Sequence, residues 1–344
     1  MIVVLKPGML ASVQDLGRHG HRQSGIAPGG ALDTLALTLA NRLVGNGDDA
    51  AGIELTLGNC ALRFETATRI ALAGDDFGAT LDGVPLWPCW SVPVAAGQTL
   101  KLGGANARAG KAGLRSWLAV AGGIDVAPVL GSRSTDLKAG FGGHEGRALK
   151  KNDRLPVGPS MLNAAQLAQR AFGLREPDWE HLEADYTIAL RVMPGPEYAQ
   201  FTDASHAALW QESWRVTPQS NRMGSRLAGP VLARQRAGDM LSSGVIPGTI
   251  QVPPSGQPII LMGDAQTTGG YPRIGVVIRA DLWKLAQAPL GGLLQLVHVD
   301  AAVAGAAWAA QQRYLAQVSQ GLAAAGWPVA ISTSHTTGDT PHGN

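Results

Sequence analysis

The stretch Q-V-P-P-S-G-Q-P-I-I-L-M-G-D-A-Q-T-T-G-G-Y-P-R, residues Gln251–Arg273, decides the fold expected for this chain. Its apolar run Ile259–Met262 follows a cluster of prolines and a glycine, which is typical of a short buried strand. A second strand-like run, Gly275–Arg279, comes directly after the stretch. The stretch therefore predicts two strands joined by a polar connection.

That connection carries an unusually dense set of polar side chains. Threonine and glutamine both donate and accept hydrogen bonds, and paired glycines let backbone N–H groups approach a ligand closely. Such a patch fits a planar amide or a carboxylate. The alternative is a tight turn whose Thr and Asp side chains satisfy local backbone groups. The residues of the patch are Asp264, Gln266, Thr267, Thr268, Gly269, Gly270 and Tyr271.

Length and composition predict two β-rich domains. The 344 residues suffice for two cores, and 45 glycines with 21 prolines favour many short strands over long helices. The formal net charge of +2, without a basic stripe, argues against a nucleic-acid partner. The two cysteines are isolated, so neither a metal site nor a disulfide framework is implied. Without a signal peptide or an apolar run of about 20 residues, we expect a cytoplasmic protein that does not enter a membrane.

Upstream of the organising stretch, strands and one helix are expected. Leucines and alanines recur every three or four residues over 32–44, which predicts an amphipathic helix. Asp33 at its start either caps the helix or binds a ligand. Short apolar runs between turns predict the strands Ile53–Leu57, Ala61–Phe64, Arg69–Ala73, Ala79–Leu81, Ser91–Val94 and Thr99–Leu102.

Three further loops carry candidate binding residues. Gln14, Asp15 and Arg18 lie among glycines, although an Asp15–Arg18 surface pair worth roughly 0–1 kcal/mol is an alternative. Arg133 lies in the hydroxyl-rich loop G-S-R-S-T, which suits an anion or forms a simple turn. Asn221 and Arg222 lie in S-N-R-M-G, where two arginines, Arg222 and Arg226, flank a turn as an anion clamp or remain solvated.

The composition changes over residues 160–185, and we place a domain boundary there. The expected organisation is a β-rich domain over 1–180, a second β-rich domain over 186–300, a helical extension over 301–330 and a disordered tail over 331–344. Asp281 and Asp300 are expected to cap helices that end near Ala288 and Ala325. One face of the second helix is expected to carry Val303, Leu315, Val318 and Leu322.

Taken together, the patches Q-D-L-G-R, G-S-R-S-T, S-N-R-M-G and Q-V-P-P…D-A-Q-T-T-G-G-Y-P closely resemble those of the biotin-dependent carboxyltransferase-like family, also called allophanate hydrolase subunit 2. The family includes one component of the bacterial ATP-dependent 5-oxoprolinase and part of the carboxyltransferase domain of urea carboxylase. The resemblance implies a cyclophilin-like barrel over 186–300. It also implies two partner proteins, a B-type subunit with a second cyclophilin-like domain and an A-type subunit of the LamB/YcsF kind.

The implied reaction opens the lactam of 5-oxoproline, a small amide, to give glutamate at the expense of ATP. By hypothesis, Arg222 or Arg18 binds the substrate carboxylate, and Asp15 or Asp264 polarises or deprotonates the amide N–H. Asp15, Asp264 and Arg222 are therefore the catalytic candidates. The binding candidates, with Tyr271 as a wall, are Gln14, Arg18, Asp33, Arg133, Asn221, Gln251, Gln266, Thr267, Thr268, Gly269, Gly270 and Tyr271.

Two other functions remain open. The chain has no phosphate-binding loop, so an ATP site would be atypical or shared with a partner. It has no Met-Lys-Met biotin-attachment sequence, so carboxyl transfer to urea or another amide would need carboxybiotin delivered by another protein. A third reading is regulatory, in which the chain sequesters a kinase inhibitor related to the B-type subunit.

Overall fold

The computed structural model describes residues 1–104, 113–175, 187–236, 238 and 240–329. The expected tail at 331–344 and the boundary near residue 180 lie outside these residues. The chain is mainly β, as predicted, with two sheets in the first half and a closed barrel in the second. No helix among the described residues is long and apolar enough to cross a membrane.

The described residues of the first half form twelve strands in two antiparallel six-stranded sheets, ordered β11-β1-β4-β9-β6-β7 and β12-β8-β5-β10-β3-β2. All six strands expected between residues 53 and 102 are present, with ends that agree to within one residue. The strands are β1 Ile2–Pro7, β2 Leu10–Gln14, β3 Gly52–Thr56, β4 Cys60–Phe64, β5 Thr68–Gly74, β6 Thr80–Leu81, β7 Val84–Pro85, β8 Trp90–Val94, β9 Thr99–Lys101, β10 Arg115–Val120, β11 Arg154–Leu155 and β12 Phe172–Gly173.

Both faces of the second sheet are covered, and strand β10 shows why. Side chains alternate along a strand, so Leu118 and Val120 enter the core between the two sheets. Trp117 and Ala119 point the other way, into a core formed with the amphipathic helix. The helix expected over 32–44 is α1, Thr34–Leu43, and its N-cap is Asp33. The sandwich therefore has a helix packed on its outer face.

The second half is a barrel closed in the order β13-β20-β17-β18-β15-β14-β21. Strands β13 and β21 are parallel, and the other neighbouring strands in the barrel are antiparallel. The strands are β13 Thr187–Pro194, β14 Ser213–Val216, β15 Gly224–Ala228, β16 Ser243–Gly244, β17 Thr249–Gln251, β18 Ile259–Leu261, β19 Thr268–Gly269, β20 Arg273–Val277 and β21 Leu293–His298; β16 and β19 form a separate two-stranded ribbon.

The barrel core contains a residue from the first half of the chain. Leu190, Trp214, Ile250 and other buried side chains fill the barrel, and Leu32, just before α1, packs into the same cluster. The organising stretch has the predicted form, because β18 and β20 flank its polar connection. Leu32 places the start of α1 against the barrel, which brings the two halves into contact.

The remaining helices are α2 Ala164–Ala168, α3 Asp203–Gln211, α4 Leu282–Gln287 and α5 Ala301–Ala324. Asp300 caps α5, as predicted, by accepting from the Val303 N–H at 2.8 Å. Asp281 stands at the N-cap position of α4, but its capping role was wrong. Its carboxylate binds Arg191 instead, with Oδ1 2.5 Å from Nη2, because that charged pair competes with the weaker cap bond.

Helix α5 returns to the first half of the molecule. Val318 and Leu322 are buried against α1, together with Trp327 beyond the helix. Val303, near the start of the same helix, is 43% exposed. The buried part of α5 lies towards its C-terminal end, because that is where the helix meets α1. The C-terminal extension is thus part of the core on the outer face of the sandwich.

Candidate functional site at the junction of sandwich and barrel

Loops from both halves meet at one buried junction. The loop after β2 is joined to a second loop through Arg18 N–H, which donates to the Pro28 carbonyl at 2.8 Å. That second loop reaches the barrel through Gly29 N–H, which donates to the Gly263 carbonyl at 3.1 Å. The Asp264 N–H in turn donates to the Arg222 carbonyl at 3.1 Å. Three of the four predicted polar patches therefore contribute side chains to this junction.

Arg222 is the ionic centre of the junction and is 5% exposed. Its guanidinium binds Asp264 twice, Nε to Oδ2 at 2.8 Å and Nη2 to Oδ1 at 2.9 Å. Nη1 donates to Glu54 Oε1 at 2.6 Å, and Nη2 donates also to the Gly30 carbonyl at 2.6 Å. All three guanidinium nitrogens are thus occupied, so a substrate carboxylate would have to compete with two protein carboxylates.

The local backbone structure orients the side chains of Arg222 and Asp264. The Asn221 side chain accepts from the Met223 N–H at 2.8 Å and tightens the turn before β15, where Arg222 points inwards. Asp264 follows the end of β18 and is 8% exposed. Burial raises the pKa of Asp264, Arg222 opposes that rise, and Glu54 adds to it. A raised pKa makes the Asp264 carboxylate a better proton acceptor than an exposed aspartate.

Asp15, the other catalytic candidate, accepts four hydrogen bonds from the residues around it. Oδ1 accepts from the Gly17 N–H at 2.8 Å, from the Ser132 hydroxyl at 2.7 Å and from the Ser134 hydroxyl at 2.5 Å. Oδ2 accepts from the Arg133 N–H at 2.5 Å. These four bonds join the first and second predicted patches. Asp15 therefore holds the loop that follows residue 131 in position.

Arg18 lies beside this loop and is 1% exposed, so the alternative of an Asp15–Arg18 surface pair is wrong. Nη2 donates to the Ser134 carbonyl at 2.5 Å, while Nε and Nη1 have no hydrogen-bond partner among the described residues. Its guanidinium carbon lies 4.7 Å from the centre of the Phe141 ring. Burial lowers the pKa of Arg18, and the nearby carboxylates of Asp136, Asp15 and Asp264 oppose that change.

Asp33 and Gln14 are both buried, and Asp33 is satisfied by the protein. Asp33 Oδ1 accepts from the Ala36 N–H at 2.8 Å and Oδ2 accepts from Gln287 Nε2 at 2.8 Å. Burial raises the pKa of Asp33 to about 6. Gln14 Nε2 donates to the Thr135 carbonyl at 3.1 Å, but no described residue binds its Oε1. Asp33 therefore serves the junction as a helix cap, which was one of its two expected roles.

Other predicted binding residues lie away from the ionic centre. Gln266, Thr268 and Asn221 are exposed on the surface, and Tyr271 is 46% exposed. The Arg133 guanidinium points outwards, with Nε donating to the Val126 carbonyl at 2.9 Å. The structure thus separates the patch after β18 into Asp264, which faces inwards, and an outer polar rim.

The paired glycines and Gln251 shape that rim. Gln251 is 1% exposed, and a side chain added at Gly269 would lie 2.4 Å from its Nε2 atom. One added at Gly270 would lie 3.3 Å from the Met240 carbonyl. Thr267 is 8% exposed, and its carbonyl accepts from the Val245 N–H at 3.0 Å. Both glycines are therefore needed for packing against neighbouring segments.

Sequence reasoning missed Glu54 and Arg115. Glu54 is 1% exposed on β3, and Arg115 on β10 places Nε 3.7 Å from Glu54 Oε1. Arg115 also donates to the Ala286 carbonyl, which links β10 to α4. A lone carboxylate in the otherwise uncharged run Gly52–Thr56 was the available signal, because buried carboxylates are almost always paired.

A cleft of about 640 Å³ opens beside the junction. Gly29 lines it, as do Arg22 and Arg279, which bring positive charge to an otherwise apolar wall. A space of this volume accommodates a small ligand with apolar methylene groups. Among the described residues, no group of three or more His, Cys, Asp or Glu side chains is arranged for a metal ion. The apolar lining includes Leu16, Leu32, Met262, Val276, Ile278 and Leu282.

Comparison with known proteins agrees with the patches and the fold. Residues 24–298 match the family model described as carboxyltransferase domain, subdomain A and B. The chain belongs to this family. Membership confirms the resemblance that the four patches indicated, including the relationship both to 5-oxoprolinase and to urea amidolyase.

Two members of the family align over nearly their whole length. The chain is 48% identical to the 5-oxoprolinase subunit designated C of Escherichia coli (strain K12), over 93% of this chain and 98% of that protein. It is 38% identical to the Haemophilus influenzae protein of the same name, over 92% and 97%. The crystal structure of K. lactis urea amidolyase superposes with a TM-score of 0.83 at 29% identity, covering 92% of this chain and 20% of that one.

Proposed function

We propose that the chain is the C-type subunit of an ATP-dependent 5-oxoprolinase, which with its A-type and B-type partners opens the lactam of 5-oxoproline to give L-glutamate. The observation that carries this proposal is the 48% identity that extends over 98% of the Escherichia coli protein. In the K. lactis urea amidolyase the matched region is only 20% of a larger chain. The activity of that protein is therefore weaker evidence for the function of this chain.

The chemistry at the junction suits a lactam. A lactam carbonyl is a poor electrophile, so the reaction needs activation together with groups that hold the amide N–H and the carbonyl. Asp264 is the group we assign to the amide N–H, because burial raises its pKa and each carboxylate oxygen accepts one hydrogen bond. Thr267, which is buried, is the donor proposed for the carbonyl oxygen, whereas Gln266, Thr268 and Tyr271 lie on the outer rim, away from Asp264.

ATP and the partner proteins belong to the same proposal. The chain has no phosphate-binding loop, so we assign the nucleotide either to an atypical site or to a site shared with a partner. The partners implied by the family are the B-type subunit with its second cyclophilin-like domain and the LamB/YcsF-type protein. The exposed rim that includes Gln266, Thr268 and Tyr271 is available to such partners.

The decisive test measures glutamate released from 5-oxoproline and ATP by this chain with its two partner proteins, with and without avidin. We expect turnover that requires all three proteins and ignores avidin. Omitting this chain is the control. Absence of glutamate in the complete mixture would contradict the proposal.

Carboxyl transfer is the second candidate, because the matching family model is a carboxyltransferase domain and the Kluyveromyces lactis urea carboxylase shares the fold. It requires carboxybiotin from another protein, since the chain has no attachment sequence of its own. Avidin binds biotin, so turnover that avidin blocks would favour this second function over the first.

A further inference from the structure

Arg18 is a buried cation whose hydrogen-bonding capacity is only partly used. It is 1% exposed, and its Nε and Nη1 atoms have no partner in the described part of the chain. Nη2 donates to the Ser134 carbonyl, an uncharged acceptor. Burying a charged donor without a hydrogen-bond partner costs several kcal/mol of folding free energy. We therefore expect an anion to bind this arginine.

Two other buried arginines, Arg69 and Arg222, differ in this respect, whereas Arg115 Nε also lacks a hydrogen bond among the described residues but lies 3.7 Å from the Glu54 carboxylate. Arg69, which is 0% exposed, uses Nε, Nη1 and Nη2 in bonds to Ser91 and to the carbonyls that follow α2. Arg222 uses all three nitrogens on Asp264, Glu54 and a carbonyl. The protein therefore provides a hydrogen-bond acceptor for every guanidinium nitrogen of Arg69 and Arg222. The described residues leave two nitrogens of Arg18 without one.

Glycines keep the space around the Arg18 guanidinium free of side chains. A side chain added at Gly29 would lie 3.3 Å from Nη1, and one added at Gly142 would lie 2.9 Å from Nη2. Gly29 also lines the 640 Å³ cleft, so a side chain at this position would stand between Arg18 and that cleft. Because Gly29 has no side chain, only its backbone lies between this part of the cleft and the Arg18 guanidinium.

Asp264 reaches the same point. Its Oδ1 lies 3.8 Å from the position that a Gly29 side chain would occupy, which is also the position next to Arg18 Nη1. A cation and a proton acceptor thus converge on one small space. In 5-oxoproline the carboxylate and the amide nitrogen are attached to the same ring carbon, so groups that bind the two must also lie close together.

We infer that Arg18 binds the carboxylate of the lactam substrate and sets the preference of the site for acidic lactams over uncharged amides. This inference rests on the proposed function and refines it. Arg222, the other candidate for this role, holds the junction together through Asp264 and Glu54. The substrate carboxylate supplies the hydrogen-bond acceptor that Nε and Nη1 of Arg18 lack among the described residues.

The test compares 5-oxoproline with its neutral carboxamide in the assembled complex of three proteins. In Arg18→Met, KM for 5-oxoproline should rise on the order of 10- to 100-fold, the range for loss of a hydrogen-bonded charge, while kcat changes little. The kcat/KM for the carboxamide should be unchanged, so the preference for the acid collapses. Arg63→Met, at an exposed position on β4, is the matched control.

A stability measurement separates ligand binding from a structural role. Without substrate, the Arg18→Met chain should lose little stability, because the substitution removes one hydrogen bond, to the Ser134 carbonyl. Arg69→Met should unfold at a clearly lower urea concentration, because it leaves several carbonyls without a donor. Loss of stability in Arg18→Met, with KM unchanged, would assign the free nitrogens to ordered water only and overturn the inference.

A second variant tests the same space with Arg18 intact. Gly29→Ala places a methyl group beside Nη1, so it should also raise KM for 5-oxoproline; because Gly29 has a φ of 60°, urea unfolding of this variant is measured as well. If the wild-type complex releases no glutamate, the proposed function fails. If it does release glutamate but both variants keep the wild-type preference for the acid, only the role of Arg18 fails.

Discussion

The residues of the junction show that the partners of a charge decide its role. Arg222 and Arg18 are both buried arginines near Asp264, yet Arg222 is fully paired and two nitrogens of Arg18 find no partner in the described residues. A paired guanidinium stabilises the fold, whereas an unpaired one is available to a ligand. From the sequence, both were equal candidates for binding a carboxylate.

Replacing Arg222 by methionine should therefore destabilise the fold. The substitution leaves Glu54 and Asp264 buried without their cation, which costs about 3–5 kcal/mol in the free energy of unfolding. Urea unfolding measures this change. Arg226→Met, at an exposed position on β15, is the control and should unfold like the wild type. A stable Arg222→Met chain with a raised KM would instead favour Arg222 as the carboxylate clamp.

Asp33 should make stability depend on pH. Its pKa is about 6 in the folded state, above the value of 3.8 for a free aspartate, because burial favours the neutral form. The folded state thus binds the proton more tightly, and this stabilisation, which is fully present below the unfolded pKa, is lost as the pH rises through the folded one.

The comparison with Asp33→Asn isolates that effect. Asparagine caps a helix as well as aspartate but does not titrate. Relative to Asp33→Asn, the wild type should lose about 3 kcal/mol of unfolding free energy between about pH 4 and pH 7. Urea unfolding at each pH measures the difference. A difference that stays constant over this range would show that Asp33 titrates normally.

At the scale of elements, the C-terminal helix is tied to the sandwich at its far end. Trp327 is 4% exposed, its Nε1 donates to the Arg42 carbonyl at 3.2 Å, and its ring meets the edge of Phe172 at 4.9 Å. The guanidinium carbon of Arg69 lies 5.1 Å from the centre of the Trp327 ring. The last described residues thus pack against α1, β12 and the buried end of β5.

Trp327→Ala should therefore weaken the sandwich, although residue 327 lies beyond the barrel in the sequence. Truncating a buried tryptophan costs about 3–5 kcal/mol. Urea unfolding should show this loss, while Val303→Ala, at an exposed position on α5, should cost less than about 1 kcal/mol. Equal midpoints for the two variants would mean that the C-terminal segment does not contribute to the core.

At the scale of the whole molecule, the two halves are joined by charged and apolar contacts. Glu54 of the sandwich binds Arg222 beside the barrel at 2.6 Å, and Arg115 donates to a carbonyl of α4. Gln287 of α4 binds Asp33 at 2.8 Å, and Leu32 enters the barrel core. The sandwich and the barrel therefore share a buried junction, and the candidate site lies within it.

Neutralising Glu54 should loosen this connection. In the wild type we expect the unfolding midpoints by far-UV circular dichroism and by tryptophan fluorescence to coincide, as for one cooperative unit. In Glu54→Gln the two midpoints should separate, because the barrel and the sandwich lose a buried ion pair that they share. Glu65→Gln, which removes a pair with Arg154 within the sandwich sheet, is the control. Coincident midpoints in Glu54→Gln would exclude this role.

The sequence by itself determined the elements and the family. Local periodicity and turn residues predict the strands between residues 53 and 102, the helix α1 and the polar connection between β18 and β20. These signals act over a few residues, so they can be read without the fold. The four patches identified the family for the same reason, because each is a short continuous segment.

Only the tertiary structure decided how the charged residues are used. Glu54 and Arg222 are 168 positions apart, and Arg18 donates to a carbonyl 116 positions away, so no local pattern relates them. The capping role expected for Asp281 was wrong for the same reason, since Arg191 is its partner. Whether a buried charge is paired depends on which distant segments the fold brings within about 3 Å of it, and that is settled by packing.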